Sequence, residues 1–120
     1  MSGERRAYSR HSISLNVRVT LPDSEEPNSF FPAKSSNISL AGMQLACNAD
    51  LITALVKQPK LPFTCKVEFT LPGQEHPFVL NSQYGTHRRL SQNQYVLVVI
   101  FMHDDEQQEA LLDTLLASKS

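Results

Sequence analysis

The chain has no tryptophan, only two cysteines and four glycines, and no long apolar run. Cys47 and Cys65 are too few for a disulfide scaffold, and their spacing fits no zinc pattern. His11, His76, His87 and His103 show no ligand spacing either, so no metal is expected. No stretch approaches the ~20 apolar residues of a membrane helix, and the N-terminal residues carry no signal-peptide core. The expectation is a cytoplasmic protein without membrane insertion. A net charge of −1 excludes the global basic field of a general nucleic-acid binder. No acid pair and no Ser/His/Asp arrangement sits in a context that supports catalysis, so the expectation is not an enzyme.

What is present is a chain of 120 residues, 41% hydrophobic, enough for one domain with a core. Its charge is uneven. Arg5, Arg6, Arg10 and Arg18 face only Glu4 in the first twenty residues, whereas Asp104, Asp105, Glu106, Glu109 and Asp113 cluster without a basic neighbour. An anionic partner is therefore expected at the N-terminal end.

Residues 1–11 are polar and lack hydrophobic periodicity, which reads as a flexible arm. From residue 12 to 21 the chain alternates, with Ile13, Leu15, Val17, Val19 and Leu21 on one side and Ser14, Asn16, Arg18 and Thr20 on the other. That is the period of a half-buried strand. Residues 30–38 read as a weaker strand interrupted by Pro32, which suits an edge. Met43, Leu45 and Cys47 give a short third strand. Residues 48–62 are ambiguous: Asp50 could cap a short helix over 51–57, limited by Pro59 and Pro62.

Alternation resumes at 63–71, with Phe63, Cys65, Val67, Phe69 and Leu71 inward, which also makes buried core thiols the reading for both cysteines. Pro72-Gly73 signals a turn. Two more strands, 78–84 and 94–101, are predicted with a polar loop between them that holds His87, Arg88 and Arg89. The last is apolar on both faces, so it belongs in the centre or under a helix. Residues 104–117 read as a helix with an acidic first turn and a stripe of Leu111, Leu112, Leu115 and Leu116. The whole is mainly β: a small six-stranded antiparallel β-barrel with a C-terminal α-helix, the barrel domain occupying 12–118.

Two short motifs carry chemistry. Arg6 and Arg10 form R-x-x-x-R, with Arg5 directly before it. Guanidinium forks suit phosphate oxygens and the O6/N7 edge of guanine. Asn37, Ser39 and Gly42 form N-x-S-x-x-G, a turn whose side chains can bond a base edge and whose glycine permits close backbone approach. In this order, with a strand between them, the motifs resemble the PilZ domain, the bacterial receptor module for cyclic di-GMP, over nearly the whole chain.

The resemblance implies a six-stranded barrel, usually followed by a helix, and a receptor without enzymatic activity. It implies that Arg6 and Arg10 grip phosphates and guanine faces, and that Asn37, Ser39 and Gly42 line the guanine pocket. Arg5 would supply a further cationic plane for a second, stacked ligand, so two cyclic di-GMP molecules per chain are expected. Position 37 is Asn where Asp is commoner. A carboxylate accepts from both guanine N1–H and N2–H, whereas Asn has one acceptor oxygen and a donor amide, so its contact must be arranged differently. Many family members carry Gly near where Val98 stands.

Tyr8, between the arginines, would either stack on a base or anchor the arm. The His87-Arg88-Arg89 segment would be a solvated loop or an added phosphate contact. An unidentified downstream protein would read the covered ligand. The alternatives are an adaptor of the same fold that binds no nucleotide, which the intact motifs oppose, and a β-barrel for single-stranded nucleic acid. The latter needs exposed aromatics on a basic face, whereas Phe63, Phe69, Tyr95 and Phe101 fall inward here.

Overall fold

Alternating apolar residues make half-buried strands, and six of them close on one another. The computed structural model describes residues 12–22, 29–39 and 41–102. It contains β1 (Asn16–Thr20), β2 (Phe31–Ile38), β3 (Gly42–Cys47), α1 (Ala49–Val56), β4 (Thr64–Phe69), β5 (Phe78–Ser91) and β6 (Gln94–Phe101). The strands form a closed barrel in the order β1-β2-β3-β6-β5-β4. Every neighbouring pair is antiparallel, with β4 returning to β1 through Val19 opposite Val67. Closure leaves the barrel body without the exposed edges that an open sheet presents.

The predicted barrel is therefore the observed one. Val17, Val19, Val67, Leu80, Leu97 and Val99 point inward and are almost fully buried. Each such aliphatic side chain contributes about 1.5–3 kcal/mol relative to exposure. Ile13, Leu15 and Leu21 pack against this core, although the strand proper is shorter than the alternation suggested. The Pro72-Gly73 turn is present, with Gly73 at φ 83° and the Gln74 amide bonded to the Leu71 carbonyl at 3.0 Å. Positive φ at the third turn position is what glycine allows.

Two expectations are corrected. The short helix in the 48–62 segment is capped by Asn48, not Asp50: the Asn48 Oδ1 accepts from the Leu51 amide at 3.3 Å. Asp50 instead sits in the first turn, where its charge favours the helix dipole. Leu51, Ile52 and Leu55 bury α1 into the barrel core. The Ala49 amide also bonds the Asn93 side chain, so the helix sits at the end where β3 finishes and β6 begins.

Second, His87, Arg88 and Arg89 are not in a loop. β5 continues through them to Ser91, paired with β6, and the chain reverses at Gln92 and Asn93. Polar composition misled because this half of β5 runs past the barrel interior and is exposed. β6 lies between β3 and β5, as every strand of a closed barrel lies between two others, and its outward residue Ile100 is 41% exposed. Among the described residues α1 is the single helix. The helix expected over 104–117 and the arm expected over 1–11 lie outside the described residues.

Candidate ligand site on the barrel wall

The site begins with an irregularity in β2. Ser35 pairs with Leu45, but Asn37 pairs with Gln44, so Ser36 is an extra residue in β2. A β-bulge of this kind shifts which face the following side chains take. Before it, Ser35 is buried among the inward positions; after it, Ile38 is fully buried. Asn37 is thereby turned to the outer wall beside Gln44, and its side-chain Nδ2 donates to Gln44 Oε1 at 2.7 Å.

The β2–β3 turn is braced from within. The Ser39 amide donates to the Gly42 carbonyl at 2.9 Å, and the Ala41 amide donates to the Ser39 hydroxyl at 3.1 Å. The Phe101 amide fastens the turn to β6 through the Ala41 carbonyl at 2.8 Å. Gly42 begins β3 opposite Ile100, and a Cβ there would collide with the Val99 carbonyl oxygen. Its φ is not positive. The glycine is required because two strands approach closely, before any ligand is considered.

These features meet in a shallow depression of about 130 Å³, lined by Asn37, Ser39 and Gly42 together with Gln44, Val98 and Ile100. The three residues of N-x-S-x-x-G thus share one concavity on the outside of the barrel. Gln44 joins them through the strand register, which no linear spacing reveals. A wider hollow of about 640 Å³ lies across β1, β2 and β4, lined in part by Arg18, Phe30 and Glu68, and holds none of the motif residues. Its size alone carries no chemistry: Arg18 there is stacked on the Phe30 ring at 4.8 Å.

Arg5, Arg6, Tyr8 and Arg10 lie outside the described residues. The root of their segment is placed, however. The Ser35 hydroxyl donates to the Ile13 carbonyl at 2.6 Å and accepts from the Leu15 amide at 2.9 Å. Ser35 is two residues from Asn37, so the chain leaving toward Arg10 is held against the strand that carries the site. Sequence spacing gave no sign of this small buried hydroxyl.

His87, Arg88 and Arg89 do not line the depression. The Tyr84 hydroxyl and His87 Nδ1 share a hydrogen bond of 2.7 Å, and the His87 ring lies 5.9 Å from that of Tyr95. Arg89 donates to the Ser91 carbonyl. Burial pushes the Cys47 thiol up to about 11 and the Cys65 thiol up to about 12. Both are far from the thiolate form that nucleophilic chemistry needs. Among the described residues no group of His, Cys, Asp or Glu could hold a metal ion. Nor, among them, is any helix long and apolar enough to cross a membrane.

The described residues thus form a closed antiparallel barrel with a braced N-x-S-x-x-G turn beside a depression on its wall. The chain belongs to the PilZ domain family, whose model matches residues 4–118. That match takes in both the arginine motif and the turn. No functionally curated protein matches the sequence.

Solved structures share the fold. Bacillus subtilis MotI/DgrA, an inhibitor of motility, has a TM-score of 0.67 at 18% identity, over 96% of this chain and 51% of its own. The PilZ domain of Escherichia coli YcgR, solved with c-di-GMP, has a TM-score of 0.62 at 22% identity, over 95% and 90%. Borreliella burgdorferi PlzA, solved in complex with c-di-GMP, has 0.63 at 14%, over 98% and 55%. The chain therefore spans about half the length of MotI/DgrA and PlzA but nearly all of the YcgR domain.

Proposed function

We propose that the chain is a non-enzymatic receptor for cyclic di-GMP. The observation that carries this is the convergence of Asn37, Ser39 and Gly42 on one depression of a PilZ barrel, in a chain that also carries the R-x-x-x-R motif. Two of the structural neighbours, YcgR and PlzA, were solved with that ligand.

The depression seats one guanine edge rather than enclosing a dinucleotide. Arg6 and Arg10 supply the missing wall, gripping phosphates and covering a base, with Arg5 against a second ligand molecule. Fixing the segment costs about 1–2 kcal/mol per residue in conformational entropy. Charge-assisted bonds from guanidinium to phosphate must exceed that, and they are roughly twice as strong as neutral ones. The covered ligand and the altered surface are then read by a downstream protein in the cytoplasm.

Titration calorimetry with cyclic di-GMP tests the reading, with GTP and a short RNA as controls. Binding at micromolar affinity or tighter, about −8 kcal/mol, is expected for cyclic di-GMP alone. The absence of heat and of any thermal shift at high micromolar ligand would overturn it.

A further inference from the structure

Asn37 stands where an aspartate would present two equivalent acceptor oxygens. An asparagine side chain is ambiguous: one end accepts and the other donates, and a half-turn about its last bond exchanges them. Guanine offers two adjacent donors, N1–H and N2–H. A freely rotating amide would meet them with its own N–H groups half the time, a repulsive arrangement. An asparagine at this position works well only if something sets its orientation.

The neighbouring strand provides that. Gln44 is the direct cross-strand partner of Asn37 across the β2–β3 ladder. Its Oε1 accepts from Asn37 Nδ2 at 2.7 Å, a short and well-formed bond. Both side chains are half-buried on the outer wall and line the same depression. Among the described residues, Asn37 Oδ1 has no hydrogen-bond partner. In this arrangement the amide end is held by the protein and the carbonyl end is left for a ligand; flipping both amides would keep the bond but turn Asn37 Nδ2 outward, and the donors of guanine select the arrangement seen. The Ser36 bulge is what brings the two side chains opposite each other on this face.

We infer that Gln44 is a positioning residue that makes Asn37 an acceptor toward the base, doing by a hydrogen bond what a negative charge does for aspartate. The inference rests on the cyclic di-GMP reading above. It assigns a role to a residue outside both motifs, and it makes the pair Asn37–Gln44, rather than Asn37 alone, the unit that recognises guanine. An aspartate at position 37 has two acceptor oxygens in any rotation and needs no such partner.

A double-mutant cycle on the full chain tests this. Cyclic di-GMP is titrated into the wild type, Gln44→Leu, Asn37→Asp and the double variant, with a thermal melt of each to establish folding. Gln44→Leu is expected to weaken binding about tenfold while the melt stays close to wild type. Asn37→Asp/Gln44→Leu is expected to bind within about threefold of Asn37→Asp, because the carboxylate makes Gln44 dispensable. A second readout needs no ligand: the side-chain amide resonances of Asn37 should shift, and exchange faster with solvent, when Gln44 becomes Leu.

An equal loss from Gln44→Leu in both backgrounds would show a generic packing role and overturn the inference, as would unchanged binding in Gln44→Leu. Unmoved Asn37 amide resonances would overturn it as well. A wild type that binds no cyclic di-GMP would overturn the receptor reading and the inference with it. A wild type that binds, with no coupling in the cycle, would overturn the inference alone.

Discussion

Ser35 and Leu15 bond each other twice: the Leu15 amide donates to the Ser35 hydroxyl at 2.9 Å, and the Ser35 amide donates to the Leu15 carbonyl at 2.9 Å. With the further bond to the Ile13 carbonyl, the serine closes the chain ahead of β1 onto β2. Ser35 is only 3% exposed, so its hydroxyl cannot turn to water instead.

Ser35→Ala leaves the part-buried Leu15 amide and Ile13 carbonyl without their side-chain partner. Such losses cost about 1–3 kcal/mol. The variant should unfold at lower urea than the wild type, and binding of cyclic di-GMP should weaken beyond what residual folding explains if the anchorage of Ile13 and Leu15, which follow the arginine motif in sequence, matters to the site. Full affinity in a destabilised but folded Ser35→Ala would separate the anchor from the site.

Gly42→Val meets the Val99 carbonyl, which is backbone and cannot move aside without parting β3 from β6. Overpacking of this sort costs about 1–3 kcal/mol and more where backbone must shift. A lowered melting temperature and lost binding should appear together, measured on the same sample. A fully stable Gly42→Val that merely fails to bind would mean that the glycine exists for the ligand alone.

What was legible in the chain follows from where alternation survives. The stretch from Ile13 to Leu21 and that from Cys65 to Leu71 kept period two because one face is core and the other solvent. β2 read weakly because the Ser36 bulge changes parity midway, so Ala33 and Ser35 point inward on odd numbers and Ile38 on an even one. The second half of β5 read as loop because it faces water on both sides, and its strand character comes from pairing with β6. The motif residues Asn37, Ser39 and Gly42 were visible from their order along the chain. Gln44 and Ser35 were not, since a cross-strand partner and a buried hydroxyl are defined by register and packing.

The cysteines give a pH dependence with a definite sign. Burial raises the Cys65 thiol to about 12 and the Cys47 thiol to about 11, from an ordinary value of 9.0. Between pH 9 and these values the unfolded chain has released protons that the folded chain still holds. Stability should therefore be fully present below pH 9 and fall as pH rises through 11 to 12. The exposed half of Cys47 reduces its share. Urea midpoints for the wild type and for Cys47→Ala/Cys65→Val, followed from pH 8 to 11, should diverge in slope only above pH 9. Parallel curves would show that neither thiol is held protonated.

The arginines divide into those expected on the ligand and one that is not. Arg18 is on the outer face of β1, opposite Glu68, with its guanidinium over the Phe30 ring. That stacking stabilises by about 0.5–1 kcal/mol at an exposed site. Arg18→Ala should lower the melting point slightly and leave the affinity for cyclic di-GMP unchanged. Arg6→Ala and Arg10→Ala should each weaken binding by roughly 2–5 kcal/mol, as when one side of a buried charge pair is removed, with no change in the melt of the free protein. Arg5→Ala should reduce the stoichiometry from two ligands to one while Arg6 and Arg10 keep the inner ligand. Raising salt should weaken wild-type binding, since the attraction is partly screened, and the dependence should be shallower in Arg10→Ala than in Arg18→Ala. Equal losses at Arg18 and Arg10 would mean that the dinucleotide is drawn by diffuse charge and that the R-x-x-x-R spacing has no part in holding it.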